Sequence, residues 1–120
     1  MTEHPSTISD DRPLTVQEAA FLRWLLDHGT PTAVGYLGEI GGIRVVSRCG
    51  CGCASIDFVE ARGTAMEILS DHQWQDEEGR RFGAFAFAKE RKLAGFEVWS
   101  MDGLATPSSL PDPSLLTPVS

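Results

Sequence analysis

Residues 43–60 read Ile43-Arg44-Val45-Val46-Ser47-Arg48-Cys49-Gly50-Cys51-Gly52-Cys53-Ala54-Ser55-Ile56-Asp57-Phe58-Val59-Glu60. Before and after the cysteines, residues alternate with the period of two that is typical of β-strands. The cysteines and glycines between these runs are small and suit a tight turn. The segment therefore predicts a β-hairpin, and it contains all three cysteines of the chain.

The same alternation recurs three times after this hairpin, over residues 65–75, 81–89 and 93–101. Turn residues separate the runs at 76–79 and 90–92. In the run 81–89, Phe85 and Phe87 lie on one face, and the residues that alternate with them on the opposite face are apolar. In the run 93–101, Gly95, Glu97 and Trp99 lie on one face, and Phe96 and Val98 lie on the opposite face. About five strands joined by short connections predict a mostly antiparallel meander sheet.

A helix is predicted ahead of the sheet. Thr15 and Glu18 have the spacing of a capping box, and apolar residues then follow at helical intervals as far as Leu26. Gly29 and Pro31 mark its end. A second, short helical turn is expected within residues 32–42, where four glycines weaken a regular helix. The fold class is therefore α+β, with the N-terminal helix packed on one face of the sheet.

The 120 residues suffice for one domain. Residues 1–12 are polar and are expected to form a mobile leader. Residues 13–106 make up the single α+β domain. Prolines preclude a regular helix or a central strand in residues 107–120, which are expected to be an extended strap or a loose end.

A net charge of −7 argues against nucleic acid and anionic membranes as partners, because such a surface repels phosphate groups. The short basic runs at 80–81 and 89–92 are expected to be solvated turns. The chain has no apolar run that is long enough to span a bilayer and no signal-peptide pattern at its start. With an odd number of clustered cysteines, these features predict a cytoplasmic protein.

Cys49, Cys51 and Cys53 are candidate zinc ligands, because thiolates are common ligands of zinc. Their spacing differs from the usual Cys-x-x-Cys. In an extended chain the outer two Cα atoms would lie about 13 Å apart, so the glycines would have to fold the segment sharply around one ion. A fourth ligand would come from His28, His72 or Asp57.

Three other interpretations of the cysteines stay open. Neighbouring cysteines could close a strained disulfide, with Arg48 lowering the pKa of Cys49. A cysteine could act as a nucleophile with His28 or His72 as its base. The interpretation that we favour is structural, since cysteine is small and tolerates burial in a tight turn.

Asp57 and Glu97 each interrupt an apolar strand, and Trp99 lies close to Glu97 in the sequence. If their strands expose the same face, the two carboxyl groups could pair for acid–base chemistry. An acid beside an aromatic ring also suits a cationic ligand or a protein partner. These three residues are the candidate ligand or partner face, and the sequence leaves open whether they meet.

The segment 48–58, the strand Leu93–Trp99 and the tail sequence Pro111-Asp112-Pro113 together resemble a group of small uncharacterised bacterial proteins. In that group, a Leu-Leu helix precedes a Cys-Gly-Cys-x-Ser hairpin, and a late strand reads Leu-Glu-Val-aromatic. The resemblance covers roughly residues 14–113. It implies a shared architecture, a domain of unknown function, and no catalytic residue.

Two hypotheses of function follow. The first is a cytoplasmic binding domain without catalytic activity or cofactor, whose sheet face or cysteine hairpin binds another protein or a small ligand. The second is a metal- or thiol-dependent protein that uses Cys49, Cys51 and Cys53, with zinc as the metal.

Overall fold

A computed structural model of the chain describes residues 7–50, 52–59, 65–103 and 105–119. These residues form one α-helix, two 3₁₀ helices and seven strands, so the α+β class is confirmed and the sheet is larger than the five strands expected. The strands are β1 (Thr7–Pro13), β2 (Arg44–Cys49), β3 (Ile56–Asp57), β4 (Glu67–Gln75), β5 (Arg81–Lys89), β6 (Lys92–Ser100) and β7 (Thr117–Pro118).

The strands lie in one antiparallel sheet in the order β1-β2-β3-β6-β5-β4-β7. Strands β4, β5 and β6 form the predicted meander, and β2 and β3 form the predicted hairpin. The meander does not continue from β3 to β4, because β3 pairs with β6 through Ile56↔Phe96 and Asp57↔Gly95. This long-range pairing brings the strand of Asp57 next to the strand of Glu97.

Helix α1 spans Val16–Asp27 and begins as predicted. Thr15 Oγ1 accepts a hydrogen bond from the backbone N–H of Glu18 at 3.0 Å, and Glu18 Oε1 accepts one from the N–H of Thr15 at 2.9 Å. This capping box satisfies two free donors of the first turn. The buried side of the helix packs on the sheet through Phe21, Leu22, Leu25 and Leu26.

The glycine-rich segment after α1 forms a ten-residue 3₁₀ helix, Ala33–Gly42. Gly35, Gly38 and Gly41 recur every three residues, the repeat of a 3₁₀ helix, and open space surrounds all three. Tyr36 and Ile40 are buried in the core. The predicted helical turn is therefore present and longer than expected. No helix within the described ranges is long and apolar enough to cross a membrane.

The N-terminal residues differ from the expected mobile leader. Residues 7–12 belong to β1, which pairs with β2 along the edge of the sheet. Arg12 binds Asp10 at 3.1 Å and Glu18 at 2.7 Å, and so ties β1 to the start of α1. Polar residues on both sides of this edge strand hide the alternation that would have revealed it. Residues 1–6 lie outside the described residues.

The proline-rich tail packs against the domain rather than hanging from it. We call residues 105–119 the C-terminal strap. The carbonyl of Pro107 accepts a hydrogen bond from the N–H of Ala54 at 2.9 Å, Leu116 is buried, and β7 pairs with β4 through Gln73↔Thr117. A second 3₁₀ helix, Pro113–Leu115, lies between these attachments.

A β-bulge changes the predicted facing of β4. Simple alternation places Ile68 on the same face as Ser70, His72 and Trp74. The pairing with β5 shifts between Ile68 and Ser70, so Leu69 is the extra residue. Leu69 and Ser70 are both buried, whereas Ile68 lies exposed on the opposite face.

Candidate partner-binding face

The centre of the sheet, β5 and β6, has two unlike faces. The face under α1 is apolar, and its residues Ala84, Ala86, Phe96 and Val98 are buried. The ring of Phe96 packs against the ring of Phe21 in α1, with the two ring centroids 5.3 Å apart. The opposite face, which we call the outer face, carries the residues that alternate with them, as predicted. The register of the neighbouring strands adds further residues to this face, and its side chains are Ser47, Asp57, Ile68, Asp71, Gln73, Phe85, Phe87, Lys89, Glu97 and Trp99.

Two aromatic rings of the outer face lie across glycines on the neighbouring strand. Trp99 pairs with Gly83, and a Cβ atom added to Gly83 would collide with the indole ring. Phe87 pairs with Gly95, where an added Cβ would lie 2.9 Å from Cζ of the phenyl ring. Glycine at both positions therefore lets the rings lie flat on the backbone. Phe87 is buried by this arrangement, whereas Trp99 keeps 43% of its surface exposed.

Asp57 and Glu97 lie on neighbouring strands of the outer face. Asp57 pairs with Gly95, which is two residues from Glu97 along β6, so both carboxyl groups point to the same side. Burial raises the pKa of Asp57, while a hydrogen bond from Ser47 Oγ at 3.0 Å opposes the rise. Burial also raises the pKa of Glu97, and the negative charge of Asp57 raises it further. The two groups are therefore electrostatically coupled.

A cation of the chain itself lies beside this carboxyl pair. The positive charge of Lys89 partly offsets the raised pKa of both Asp57 and Glu97. Its Nζ lies 5.8 Å from the centroid of the Phe87 ring, within the range of a cation–π contact. The outer face thus already presents carboxylates and an aromatic ring to a positive group.

The structure resolves the question that the sequence left open, since Asp57, Glu97 and Trp99 share the outer face. Sequence reasoning missed Ser47 and Lys89 as their neighbours. Lys89 could have been found, because it continues the alternation of Phe85 and Phe87. Ser47 could not, because its contact with Asp57 depends on the exact register of the hairpin.

The cysteine loop is held by a serine. Ser55 Oγ accepts a hydrogen bond from the N–H of Val98 at 2.9 Å and donates one to the carbonyl of Val98 at 3.1 Å. The thiol of Cys53 donates a hydrogen bond to Ser55 Oγ at 3.3 Å. The backbone carbonyl of Ser55 accepts a hydrogen bond from the N–H of Cys49. Both cysteines are half-buried. Cys51 lies outside the described residues.

The candidate fourth zinc ligands are engaged elsewhere. His28 stacks on Trp24 with ring centroids 4.0 Å apart, and His72 meets the edge of the same ring and bonds Ser70 Oγ at 3.0 Å. Over the part of the chain that the structure describes, no three His, Cys, Asp or Glu side chains gather as a metal site would require. Because the proposed site includes Cys51, zinc binding and thiol chemistry remain predictions.

We compared the chain with protein-family models, with curated proteins and with solved structures, and found no match. The resemblance to small bacterial proteins with a Cys-Gly-Cys-x-Ser hairpin therefore remains a prediction. Function has to be argued from the residues of the site and their chemistry.

Proposed function

We propose that this chain is a small binding domain without catalytic activity, whose outer face docks a basic segment of a partner protein. A Lys or Arg of that segment would bind Asp57 and Glu97, with Trp99 beside it. The observation that carries the proposal is the pairing of two carboxyl groups, both with a raised pKa, on one sheet face beside an exposed tryptophan.

The energetics of the pair support binding. Partial burial disfavours the charged form of each carboxyl group, and the charge of Asp57 adds repulsion at Glu97. Such an arrangement costs folding stability at neutral pH, which a neutral pair of the same shape would avoid. A partner's cation would remove the cost. Perturbed carboxyl groups that converge on one surface are typical of functional sites.

The surroundings of the pair suit a protein segment. Trp99 and Ile68 are more than two-fifths exposed, and Phe85 on the same face is half-buried. Tryptophan is enriched among the residues that dominate protein interfaces, and its ring attracts cations. The net charge of −7 would steer a basic partner toward the chain. The clustered, odd-numbered cysteines support a cytoplasmic setting as part of this proposal.

The test is an NMR titration of the ¹⁵N-labelled protein with a short peptide of alternating Arg and Ser. We expect saturable shifts at the Trp99 indole N–H and at the amides around Glu97. The Asp57→Asn/Glu97→Gln variant should lose them, whereas Glu77→Gln/Glu78→Gln, which removes the same charge from the exposed β4–β5 turn, should keep them.

Three results would reject the proposal. One is equal binding of the peptide by the Asp57→Asn/Glu97→Gln variant. Another is equal binding of a control peptide of alternating Glu and Ser. The third is a peptide that binds no more tightly than guanidinium ion alone, because the face would then recognise a small cation rather than a protein segment.

A further inference from the structure

A cleft lies on the other side of the sheet from Asp57 and Glu97. It has a volume of about 730 Å³ and separates the β4–β5 turn from the C-terminal strap. Trp74 and Phe82, which pair in register, lie at its base with ring centroids 5.1 Å apart, and both side chains are largely buried. Both side chains belong to the core face of the sheet. Gly83, the next residue after Phe82, pairs with Trp99 and lies on the outer face. The cleft is therefore separate from the outer face.

The strap is attached on both sides of this cleft. On one side, the Pro107 carbonyl is bonded to Ala54. On the other, Leu116 is buried and Thr117 pairs with β4. Five strap residues that line the cleft lie between these attachments: Ser108, Ser109, Leu110, Pro111 and Leu115. The volume of the cleft falls in the range of about 300–1,000 Å³ that is usual for small-molecule sites.

The strap lines the cleft with apolar residues and with the hydroxyl-bearing Thr106, Ser108 and Ser109, and the β4–β5 turn lines it with charged residues. The apolar residues of the strap are Ala105, Pro107, Leu110, Pro111 and Leu115. At the rim, three carboxyl groups lie with a single guanidinium, that of Arg80. Asp76 binds Arg80 at 2.6 Å and Glu78 lies 3.6 Å from it, so Arg80 is already engaged and the rim has excess negative charge.

We propose that this cleft binds a small organic cation with a flat apolar body. The flat body would pack against the partly exposed apolar residues of the strap, above the largely buried Trp74–Phe82 pair, where apolar surface favours a planar ring. The positive group would lie at the rim near Glu77 and Glu78, where the charge is complementary. The site is independent of the docking of a basic segment on the outer face.

Tryptamine is a suitable probe, because it joins a planar ring to an ammonium group. We expect it to shift the indole N–H signal of Trp74 and the amides of residues 105–111 saturably, while the Trp99 indole signal stays unchanged. Neutral indole and the anion indole-3-acetate should bind more weakly. Glu77→Gln/Glu78→Gln should weaken tryptamine by about fivefold and leave indole unaffected.

A filled cleft supplies the second comparison. Ser109→Phe places a ring in the lining and should lower tryptamine affinity strongly. Ser114→Phe makes the same change at an exposed strap residue outside the lining and should not.

Each failure is distinct from failure of the proposed function. A shift of Trp99 without a shift of Trp74 would mean that tryptamine binds the outer face, and it would overturn the cleft site. An absence of shifts, equal binding by indole-3-acetate, or unchanged binding to Ser109→Phe would overturn it as well.

Discussion

Asp57 and Glu97 lie on neighbouring strands, and the pKa of Glu97 is raised both by burial and by the charge of Asp57. The chain brings the two together by pairing β3 with β6, strands that are far apart in the sequence. Lys89 and Ser47 offset part of the electrostatic cost. The part of this cost that is not offset lowers the free energy of unfolding, which can be measured. A bound cation would reverse this loss of stability.

Replacing Glu97 by Gln should stabilise the protein at neutral pH by about 0.3–1 kcal/mol. A carboxyl group with a raised folded-state pKa favours the folded state below its unfolded pKa, and this contribution is lost as the pH rises through the folded pKa. The gain should therefore be present at pH 7 and shrink on acidification toward the ordinary value of 4.5. Urea unfolding at several pH values measures it.

The control for this variant is Glu77→Gln, which removes one negative charge at an exposed turn position. If Glu77→Gln stabilises the protein as much as Glu97→Gln does, the gain reflects net charge alone. The coupling between Asp57 and Glu97 would then be unsupported.

Gly95 and Gly38 should respond in opposite ways to alanine. A Cβ at Gly95 would lie 2.5 Å from the carbonyl oxygen of Ile56 and 2.9 Å from the ring of Phe87, so the β3–β6 pairing must shift. We expect a loss of about 1–3 kcal/mol. Nothing lies within 4 Å of a Cβ at Gly38, where alanine should be neutral or stabilising by up to about 1 kcal/mol. Thermal unfolding of both variants checks the contrast, which equal effects would contradict.

Ser55→Ala should destabilise the protein by about 1–3 kcal/mol, because the buried N–H and carbonyl of Val98 would both lose their partner. Ser108→Ala, at an exposed position in the strap, should change stability by less than about 0.5 kcal/mol. Denaturant unfolding compares the two. A small effect of Ser55→Ala would mean that the serine does not anchor the cysteine loop to β6.

His72 should make the protein sensitive to acid. Burial lowers its pKa, and the charge of His28 lowers it further, whereas Asp71 acts in the opposite direction. The unfolded chain therefore binds the proton more readily. Stability is fully present above the ordinary value of 6.5 and is lost as the pH falls through the folded pKa. In His72→Gln, the change in unfolding free energy between about pH 7 and pH 5 should be smaller than in the parent chain.

The matched variant is His28→Gln, because His28 is the exposed histidine of the same cluster. It should keep most of the loss on acidification, since His72 still titrates. An identical pH profile for the parent chain and His72→Gln would contradict the assignment.

Local signals in the sequence predicted the parts of the fold that depend on neighbouring residues. The capping box of Thr15 and Glu18 gave the start of α1. The alternation around Phe85 and Glu97 predicted which residues of β5 and β6 lie on the outer face. Both depend on one helix turn or one strand, where residue spacing determines the direction of the side chain.

The parts that the sequence did not predict depend on contacts between distant segments. The pairing of β3 with β6 has no local signal, and it decides that Asp57 and Glu97 meet. The bulge at Leu69 moves Ile68 to the outer face against simple alternation. Strand β1 is polar on both sides, so it lacks the alternating pattern that reveals a strand.

The central claim is that Asp57 and Glu97 form a coupled carboxyl pair that binds a partner's cation. Carboxyl ¹³C NMR titration measures both pKa values, first alone and then with a saturating peptide of alternating Arg and Ser. We predict that both pKa values lie above the ordinary values of 3.8 and 4.5 in the protein alone and fall when the peptide binds. Ordinary pKa values in the protein alone, or values that do not change with bound peptide, would contradict it.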